Sequence, residues 1–194
     1  MSPTSQAPRL APLQPPYEPD VAAMLAKWMP PNSSAEPLRL FRTLARNNDL
    51  AGRMRPLGAG ILGAGASIAP QLREVAIHRT CALTRNEYEW GVHAVAFGKP
   101  LGLTNEQLRS TVLGSWTDEC WEPEQAIVFR AADELHRTST ISEELWAELG
   151  ARFDERQIIE LIVTVGWYHV IAYICNGLSV EAEEWAPGFP RRTL

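Results

Sequence analysis

The stretch PQLREVAIHRTCALTRNEYEWGVHAVAFGKP, residues 70–100, carries the strongest helix signals in the chain. Pro70 stands where a first-turn proline would stand, and it predicts a helix over residues 71–83. Asn86 can cap a second helix, with Glu89 at the third position of a capping box. This second helix should end by Gly98-Lys99-Pro100, because proline interrupts helical hydrogen bonding. The stretch therefore predicts two successive helices that can form a hairpin.

The rest of the chain from Leu38 onward is helical in character, since it contains no convincing run of alternating β-branched residues. The last predicted helix is long and hydrophobic, and Asn176-Gly177 should end it with a left-handed residue. We predict an all-α bundle. Its other helix starts are Thr104 with Gln107, Pro123, Ser142 with Glu143 and Glu144, and Asp154 with Gln157.

Residues 1–37 form a predicted Pro-rich N-terminal arm, ahead of a helical domain over residues 38–194. Proline denies helix hydrogen bonds and favours extended backbone, so the arm is expected to hold one short helix, from Val21 to Trp28. Such an arm can lie across a neighbouring subunit or remain loosely draped, and the sequence leaves both arrangements open.

Composition limits the classes of partner. The 194 residues suit one compact domain that can bury a core without disulfides. Lys and Arg number 18 against 23 Asp and Glu, with no basic block or stripe, so we expect a small-molecule substrate and neither nucleic acid nor membrane as a partner. Cys81, Cys120 and Cys175 are odd in number and form no CxxC, which indicates a reduced, cytoplasmic protein.

Two further segments bear on localisation. The first thirty residues lack a basic start followed by an apolar run, so no signal peptide is predicted. Ile158 to Ile174 is apolar enough to raise the question of a membrane span. Glu160 and His169 interrupt it and no basic flank follows, so a buried core helix is the better interpretation.

Two carboxylate–imidazole pairs stand four residues apart in the predicted hairpin, Glu74 with His78 and Glu89 with His93. Residues at this spacing share one face of a helix. A carboxylate raises the affinity of a neighbouring imidazole for a proton, so such a pair can donate and accept protons near neutral pH. If the two helices pack together, Glu74 can meet Glu89 and His93 in one pocket.

The same residues also have structural interpretations. Glu89 can be the returning carboxylate of the Asn86 capping box. His78 can be a polar residue on a helix surface, and a lone His93 would be a core histidine. The pairs could also supply oxygen and nitrogen ligands to zinc or iron. However, carboxylate-bridged di-iron bundles use Glu-x-x-His spacing, which the chain lacks, so we expect neither a metal nor another cofactor.

Several of these residues resemble those of one family. Arg73-Glu74, the triplet Tyr88-Glu89-Trp90, His93 and Gly102-Leu103-Thr104 are similar to the carboxymuconolactone decarboxylase family, which includes the AhpD-like alkylhydroperoxidases. Residues 130–135 and 154–161 are similar to its non-redox members, and the resemblance extends over residues 38–180. It implies an AhpD-like helical bundle that assembles as a homo-oligomer, either a trimer or a hexamer.

The chain departs from the redox branch of that family at its cysteines. The AhpD-like branch uses a glutamate, a CxxC pair and a histidine as a proton-relayed dithiol. Glu74 and His93 match the glutamate and the histidine, but the two cysteine positions fall on Asn86 and Glu89. Neither can form a thiolate, so the dithiol mechanism is not expected. Cys81 lies five residues earlier, where it can border the pocket or act as a small buried hydrophobe.

What remains resembles the decarboxylase branch, whose members act on lactone acids without a cofactor. Loss of carbon dioxide leaves a carbanion that an unsaturated lactone delocalises, and an acid then protonates a remote carbon. The resemblance implies His93 as proton donor or shuttle, Glu89 as its partner and Glu74 as a second carboxylate that polarises the site. Further candidates to line the substrate pocket are His78, Cys81, Asn86 and Tyr88.

Two other signals are open to more than one interpretation. Arg73 and Arg79 can hold a substrate carboxylate, with surface solvation as the alternative. Gly58-Ala59-Gly60-Ile61-Leu62-Gly63 matches the dinucleotide-binding pattern as written. No strand precedes it and no ribose-binding acid follows, so a closely packed helix or a loop explains it better.

The leading hypothesis is a cofactor-independent acid–base enzyme that acts on a small lactone or oxo-acid. One alternative is a peroxidase-related redox protein that uses a lone cysteine or a partner. The other is a non-catalytic oligomeric module in which Glu74, Glu89 and His93 only satisfy one another.

Overall fold

The computed structural model describes residues 7–30, 33 and 35–192. Within these residues all regular structure is helical, which confirms the predicted all-α class. The parts of the predicted arm at residues 1–6, 31, 32 and 34 lie outside the described residues. The helices are α1 (Pro19–Trp28), α2 (Arg39–Leu44), α3 (Asn48–Leu62), α4 (Pro70–Leu83), α5 (Glu87–His93), α6 (Asn105–Leu113), α7 (Pro123–Thr138), α8 (Glu143–Gly150) and α9 (Glu155–Leu178). A 3₁₀ turn, Ala45–Asn47, joins α2 to α3, and a π-helical turn, Ala94–Gly98, continues α5.

Helix α4 lies at the centre of the bundle and packs against α5, α6, α7 and α9. Its buried residues occur on all sides, and they include Val75, Ala76 and Ile77, which are fully enclosed. A helix that is enclosed all round leaves no solvated face for its polar side chains, so each polar group on α4 needs a partner inside the protein.

The α4–α5 hairpin forms as the sequence predicts, with one difference at its capping residue. The Asn86 side chain accepts a hydrogen bond from the Glu89 backbone N–H at 3.2 Å. The Glu89 carboxylate does not return to the Asn86 backbone N–H, which donates instead to the Cys81 carbonyl at 2.8 Å. The reciprocal capping box is therefore absent, and the Glu89 side chain is available to the interior.

The other caps are mostly as predicted. Thr104 with Gln107 and Asp154 with Gln157 form reciprocal capping boxes, and Ser142 caps α8. The predicted stop at Asn176-Gly177 is wrong, because α9 continues to Leu178 and its left-handed residue is Ser179, at φ 53°. The chain reverses there because the Val180 N–H bonds back to the Cys175 carbonyl at 2.9 Å and the Val180 side chain packs against the core.

The described part of the N-terminal arm wraps around its own chain. The Arg9 backbone N–H donates to the Leu178 carbonyl at 2.9 Å, and the Leu13 N–H donates to the Arg42 carbonyl at 3.2 Å. Met24 and Leu25 of α1 are buried in a cluster with residues of α2, α5 and α9. The described part of the arm is therefore packed on its own chain, and α1 is one wall of the domain; contact of the arm with a neighbouring subunit stays a prediction.

Helix α9 is long and apolar enough to cross a membrane by length and composition, the one such helix among the described residues. The core helix of a soluble protein passes the same test. Leu161, Val165 and Tyr168 of α9 are buried against the rest of the bundle, whereas Ile159 and Tyr173 face outward. The helix packs against α4, α5, α7 and α8 along one face, so the predicted buried core helix is buried on that face and exposed on the other.

Candidate active site

Side chains from α4, α5 and α9 meet around the His93 ring. His93 Nδ1 lies 2.9 Å from Glu74 Oε2, and His93 Nε2 lies 2.9 Å from Tyr168 Oη. Glu89 Oε1 is 3.6 Å from the same Nε2 atom. All of these side chains are buried, Glu89 being the most accessible with 8% of its surface exposed. The structure therefore brings together the three predicted catalytic residues, Glu74, Glu89 and His93, and adds Tyr168.

Local structure explains how the hairpin aims these groups. Glu89 and His93 stand four apart on α5, so they share a face, and the turn after α4 brings that face onto Glu74. The π-helical turn after His93 brings Phe97 onto the imidazole, with the ring centroids 4.8 Å apart. At Gly98 the same turn passes so close to His78 that a Cβ atom would lie 2.9 Å from its ring. Glycine is therefore needed at this position for the turn to pack.

The charge of His93 follows from its neighbours. Burial alone would lower the pKa of His93, but the charge of Glu74, the hydrogen bond to it and the nearby Glu89 raise that pKa to about 9. His93 is then an imidazolium at neutral pH, with a proton on each ring nitrogen. The Nδ1–H of His93 donates a hydrogen bond to the Glu74 carboxylate, and the Nε2–H points toward Tyr168 and Glu89.

His78 differs from His93 although both stand beside Glu74. Its Nδ1 atom lies 2.7 Å from the backbone carbonyl of Glu74 and 3.7 Å from the Glu74 carboxylate. Burial lowers the pKa of His78 to about 4, so its ring is neutral at physiological pH. The prediction that Glu74 and His78 form a charged pair is therefore wrong. The carboxylate of Glu74 pairs with His93 across the hairpin, because His78 is bonded to the backbone of its own helix.

Sequence reasoning did not include Tyr168 among the site residues. It is fully enclosed in α9, and burial raises the pKa of its hydroxyl well above the ordinary value, so it stays a neutral phenol. The signal available in the sequence was a tyrosine inside an otherwise apolar helix, since a buried hydroxyl requires a partner. Nothing in the sequence indicated that this partner is His93, which lies 75 residues away along the chain.

A cavity of about 410 Å³ opens beside this cluster, between α1, α2, α3, the α5 end and α9. Glu89, His93 and Tyr168 line its inner end, whereas Glu74 lies behind His93. Glu89 Oε2 and Glu74 Oε1 are buried and have no hydrogen-bond partner in the part of the chain that the structure describes. The lining residues are Lys27, Trp28, Met29, Pro30, Leu38, Leu40, Phe41, Arg55, Gly58, Ala59, Leu62, Glu89, Val92, His93, Ala96, Phe97, Trp167, Tyr168, Ile171 and Trp185.

The four predicted pocket residues do not line this cavity, and each has another contact. His78 and Cys81 are fully enclosed in α4, and Asn86 caps α5. The Tyr88 hydroxyl donates to Glu183 at 2.6 Å and accepts the Leu40 N–H at 3.1 Å, so it fastens the C-terminal segment to the bundle. Tyr88 turns away from the cavity because the face of α5 that carries Glu89 and His93 is the one directed into it, and no residue of α4 lines the cavity.

The two predicted carboxylate-binding arginines are also placed elsewhere, and neither is solvated at the surface as the alternative held. Arg73 is buried and donates to the Ile61 carbonyl at 3.1 Å. Arg79 pairs with Asp133 at 2.6 Å and lies over the Phe129 ring. Besides His93, the cationic side chains that line the cavity are Lys27 and Arg55.

The glycine-rich stretch at residues 58–63 is largely part of α3, as its helical interpretation predicts. A Cβ atom on Gly58 would lie 3.3 Å from the Trp167 ring, so the small residue lets α3 and α9 approach closely. Gly58 and Ala59 thereby form one wall of the cavity.

The cysteines are poorly placed for thiolate chemistry. Burial raises the pKa of Cys81 and Cys175 well above the ordinary value, and the charge of Glu89 raises both further. Burial also raises the pKa of Cys120. None of the three thiols lines the cavity. Among the described residues, no group of three or more His, Cys, Asp or Glu side chains is arranged to hold a metal ion.

The overall fold is shared with proteins of known structure. A peroxidase-related protein from Silicibacter sp. TM1040 superposes with a TM-score of 0.78 at 13% identity, over 97% of this chain and 96% of its own. The debrominase Bmp8 in its apo form gives 0.69 at 15% identity, over 91% and 92%. A Bmp8 variant in complex with 2,3,4-tribromopyrrole gives 0.70 at 14% identity, over the same shares. These likenesses establish the AhpD-like helical fold.

Comparison at the level of sequence gives no further relatives. No family model matches the chain, and no curated protein matches it. The structural neighbours are too distant in sequence to share more than the fold with this chain, and a shared fold does not fix the chemistry of a site.

Proposed function

We propose that this protein is a cofactor-independent acid–base enzyme related to the carboxymuconolactone decarboxylases, acting on a small lactone or oxo-acid. The observation that carries the proposal is the position of His93. Its ring is held between Glu74 and Tyr168, with Glu89 beside it, at the inner end of an apolar cavity of about 410 Å³. A buried titratable cluster with a specific partner, facing a cavity, is the usual arrangement of an acid–base site.

Decarboxylation uses these groups as follows. The bond to the leaving carboxylate breaks, carbon dioxide departs, and the electron pair stays on the substrate, where the unsaturated lactone delocalises it. The Nε2 proton of His93 then passes to the remote carbon, and water entering the cavity restores that proton. A pKa of about 9 keeps the proton on His93 until a more basic carbanion forms.

The geometry supports a different division of roles from the one first expected. Glu74, rather than Glu89, makes the close hydrogen bond to His93, so Glu74 orients the ring and balances its charge. Glu89 faces the cavity and keeps Oε2 without a partner among the described residues. It is then the group that accepts a proton from a substrate carbon when the reaction is an isomerisation.

The redox alternative receives less support. One structural neighbour is a peroxidase-related protein, and this likeness is what favours the redox alternative. A thiolate mechanism in this chain would need a reactive cysteine at the cavity, and burial raises the pKa of Cys81 and Cys175, which lie away from it.

The test is turnover of 4-carboxymuconolactone, followed by ultraviolet absorbance, with wild type, His93→Gln and the control His136→Gln. His136 is an exposed histidine outside the cavity. Turnover that is lost only in His93→Gln supports the proposal. Wild-type activity that survives in His93→Gln overturns it, as does a folded wild type that is inactive on this substrate and on a panel of unsaturated lactone acids and oxo-acids.

A further inference from the structure

We propose that Lys27 and Arg55 form a carboxylate-binding subsite at the mouth of the cavity, and that the cavity takes a planar unsaturated acid bound with its carboxylate outward. This inference rests on the proposed function for the chemistry at the inner end. The subsite itself is argued from charge, burial and shape, and it can be tested by binding alone.

The first observation concerns charge inside the cavity. Its lining is mainly apolar and aromatic, and besides the His93 imidazolium its cationic side chains are Lys27 and Arg55. Neither forms an ion pair with any described residue, whereas Arg42, Arg79 and Arg130 each contact a carboxylate. Lys27 also stands in the last turn of α1, where the helix dipole favours a cation. The dipole does not account for Arg55, which belongs to another helix.

The second observation is that the Arg55 side chain is fixed to the end of α1, the helix that carries Lys27. Arg55 Nε donates to the Lys27 backbone carbonyl at 2.7 Å, which leaves the terminal nitrogens of the guanidinium for a ligand. A guanidinium binds a carboxylate through two parallel hydrogen bonds, and a neighbouring ammonium adds a point charge. The contact also ties α3 to the end of α1, so the N-terminal arm supplies part of the subsite.

The third observation is the order of burial along the cavity. Lys27 is exposed and Arg55 partly buried, whereas Glu89 and His93 are 8% and 2% exposed. At the inner end the positive charge of His93 is already balanced by Glu74 and Glu89, whereas Lys27 and Arg55 carry positive charge with no ion-pair partner among the described residues. The bound acid therefore points its carboxylate outward and its ring inward toward His93.

The walls favour a flat ring between the two ends. Trp28 and Phe41 contact each other with ring centroids 4.5 Å apart, and Phe97 and Trp167 line the same cavity. Aromatic walls stack best on planar, unsaturated ligands. A carboxylate held by two cations is stabilised against loss of carbon dioxide, so a substrate that decarboxylates here carries a second carboxyl group near His93. 4-Carboxymuconolactone, a dicarboxylate, satisfies this requirement.

The experiment measures binding of coumarin-3-carboxylate, a planar lactone acid, by calorimetry, with coumarin-3-carboxamide as the neutral probe. Wild type is expected to bind the acid more tightly than the amide. Lys27→Gln and Arg55→Gln should each weaken binding of the acid by about fivefold, the size typical of a partly exposed charge pair, and leave binding of the amide unchanged. Lys99→Gln and Arg53→Gln are matched controls, because both residues are exposed and lie outside the cavity.

The preference for the acid should also decline with added salt. Equal binding of acid and amide to wild type would overturn the inference, as would unchanged acid binding in the double variant Lys27→Gln/Arg55→Gln. His93→Gln separates this inference from the proposed function. A His93→Gln protein that keeps its preference for the acid supports the subsite, whether or not wild type turns over any lactone.

Discussion

Two charged clusters in this protein differ in how completely they are paired: one lies partly at the surface around Arg130, and the other is buried around His93. Arg130 contacts Glu134 at 3.1 Å, Glu148 at 3.0 Å and Glu144 at 3.4 Å. Glu134 in turn accepts the Ser142 N–H at 2.8 Å and its hydroxyl at 3.1 Å. Around His93, by contrast, Glu74 and Glu89 each keep a buried oxygen without a partner among the described residues.

The difference separates a structural joint from a candidate site. The Arg130 cluster closes on itself and fixes the start of α8 against α7, and its hydrogen bonds and charges overcome burial to lower the pKa of Glu134. The His93 cluster keeps free acceptors beside a cavity, where a ligand can reach Glu89. Residues 130–135 and Glu74 both contributed to the family resemblance, yet only Glu74 belongs to the proposed active site. Completeness of pairing tells the two apart.

The largest expected difference between the His93 cluster and the Arg130 cluster is in their effect on turnover. Glu89→Gln and His93→Gln are each expected to lower kcat on an active lactone substrate by about 10²- to 10⁴-fold, the range for a general acid or base. Glu134→Gln, in the closed cluster, should leave kcat unchanged. Steady-state kinetics on the three purified variants, with folding checked by circular dichroism, makes the measurement. A comparable loss in Glu134→Gln would remove the distinction between the clusters.

The next effect is on stability. Glu74→Gln leaves the buried charge of His93 without its main partner, and we expect the free energy of unfolding to fall by about 3 kcal/mol. Glu134→Gln should cost about 1–2 kcal/mol, because Arg130 retains Glu148 and Glu144. Urea unfolding of both variants gives the comparison. Equal losses would mean that the His93 cluster is no more dependent on a single ion pair than the Arg130 cluster.

The pH dependence of stability should show the two histidines beside Glu74 acting in opposite directions. The pKa of His93 is raised from 6.5 to about 9. Its contribution to the free energy of unfolding is therefore complete below pH 6.5 and is lost as the pH rises through 9. The pKa of His78 is lowered to about 4, so stability is lost as the pH falls from 6.5 toward 4. Each slope is about 1.4 kcal/mol per pH unit at most.

Stability is therefore expected to be greatest near pH 6.5. Urea midpoints measured from pH 5 to 9 test this, with His93→Gln expected to flatten the alkaline limb and His78→Asn the acid limb. Burial and the neighbouring His169 also lower the pKa of His136, so this residue adds a smaller loss of stability at acid pH. The variant His136→Gln measures that contribution. An alkaline limb that survives in His93→Gln would contradict the assigned ionisation.

The smallest effect concerns Tyr168. Tyr168→Phe removes one hydrogen bond to His93 and should lower the free energy of unfolding by about 1 kcal/mol. Turnover should fall far less than in His93→Gln, because Glu74 still orients the ring. Kinetics and urea unfolding on the same preparation report both quantities. A loss of turnover as large as that of His93→Gln would make Tyr168 a catalytic residue.

The sequence by itself determined the helical class and most helix starts, and it pointed to Glu74, Glu89 and His93, which the fold brings together. These were accessible because caps, first-turn prolines and four-residue spacing act over short range, and a hairpin of adjacent helices allows few arrangements. The same short range explains the wrong stop of α9, where a core contact of Val180 outweighed the local signal at Asn176-Gly177.

Only the tertiary structure decided which histidine pairs with Glu74. Glu74–His78 and Glu89–His93 have the same spacing, but His78 bonds to a backbone carbonyl and loses its charge on burial, whereas His93 faces both carboxylates and keeps it. Tyr168 and the cavity wall with Lys27 and Arg55 likewise depend on how distant helices pack. Ionisation and cavity shape are collective properties of neighbours brought together by folding, so no local pattern encodes them.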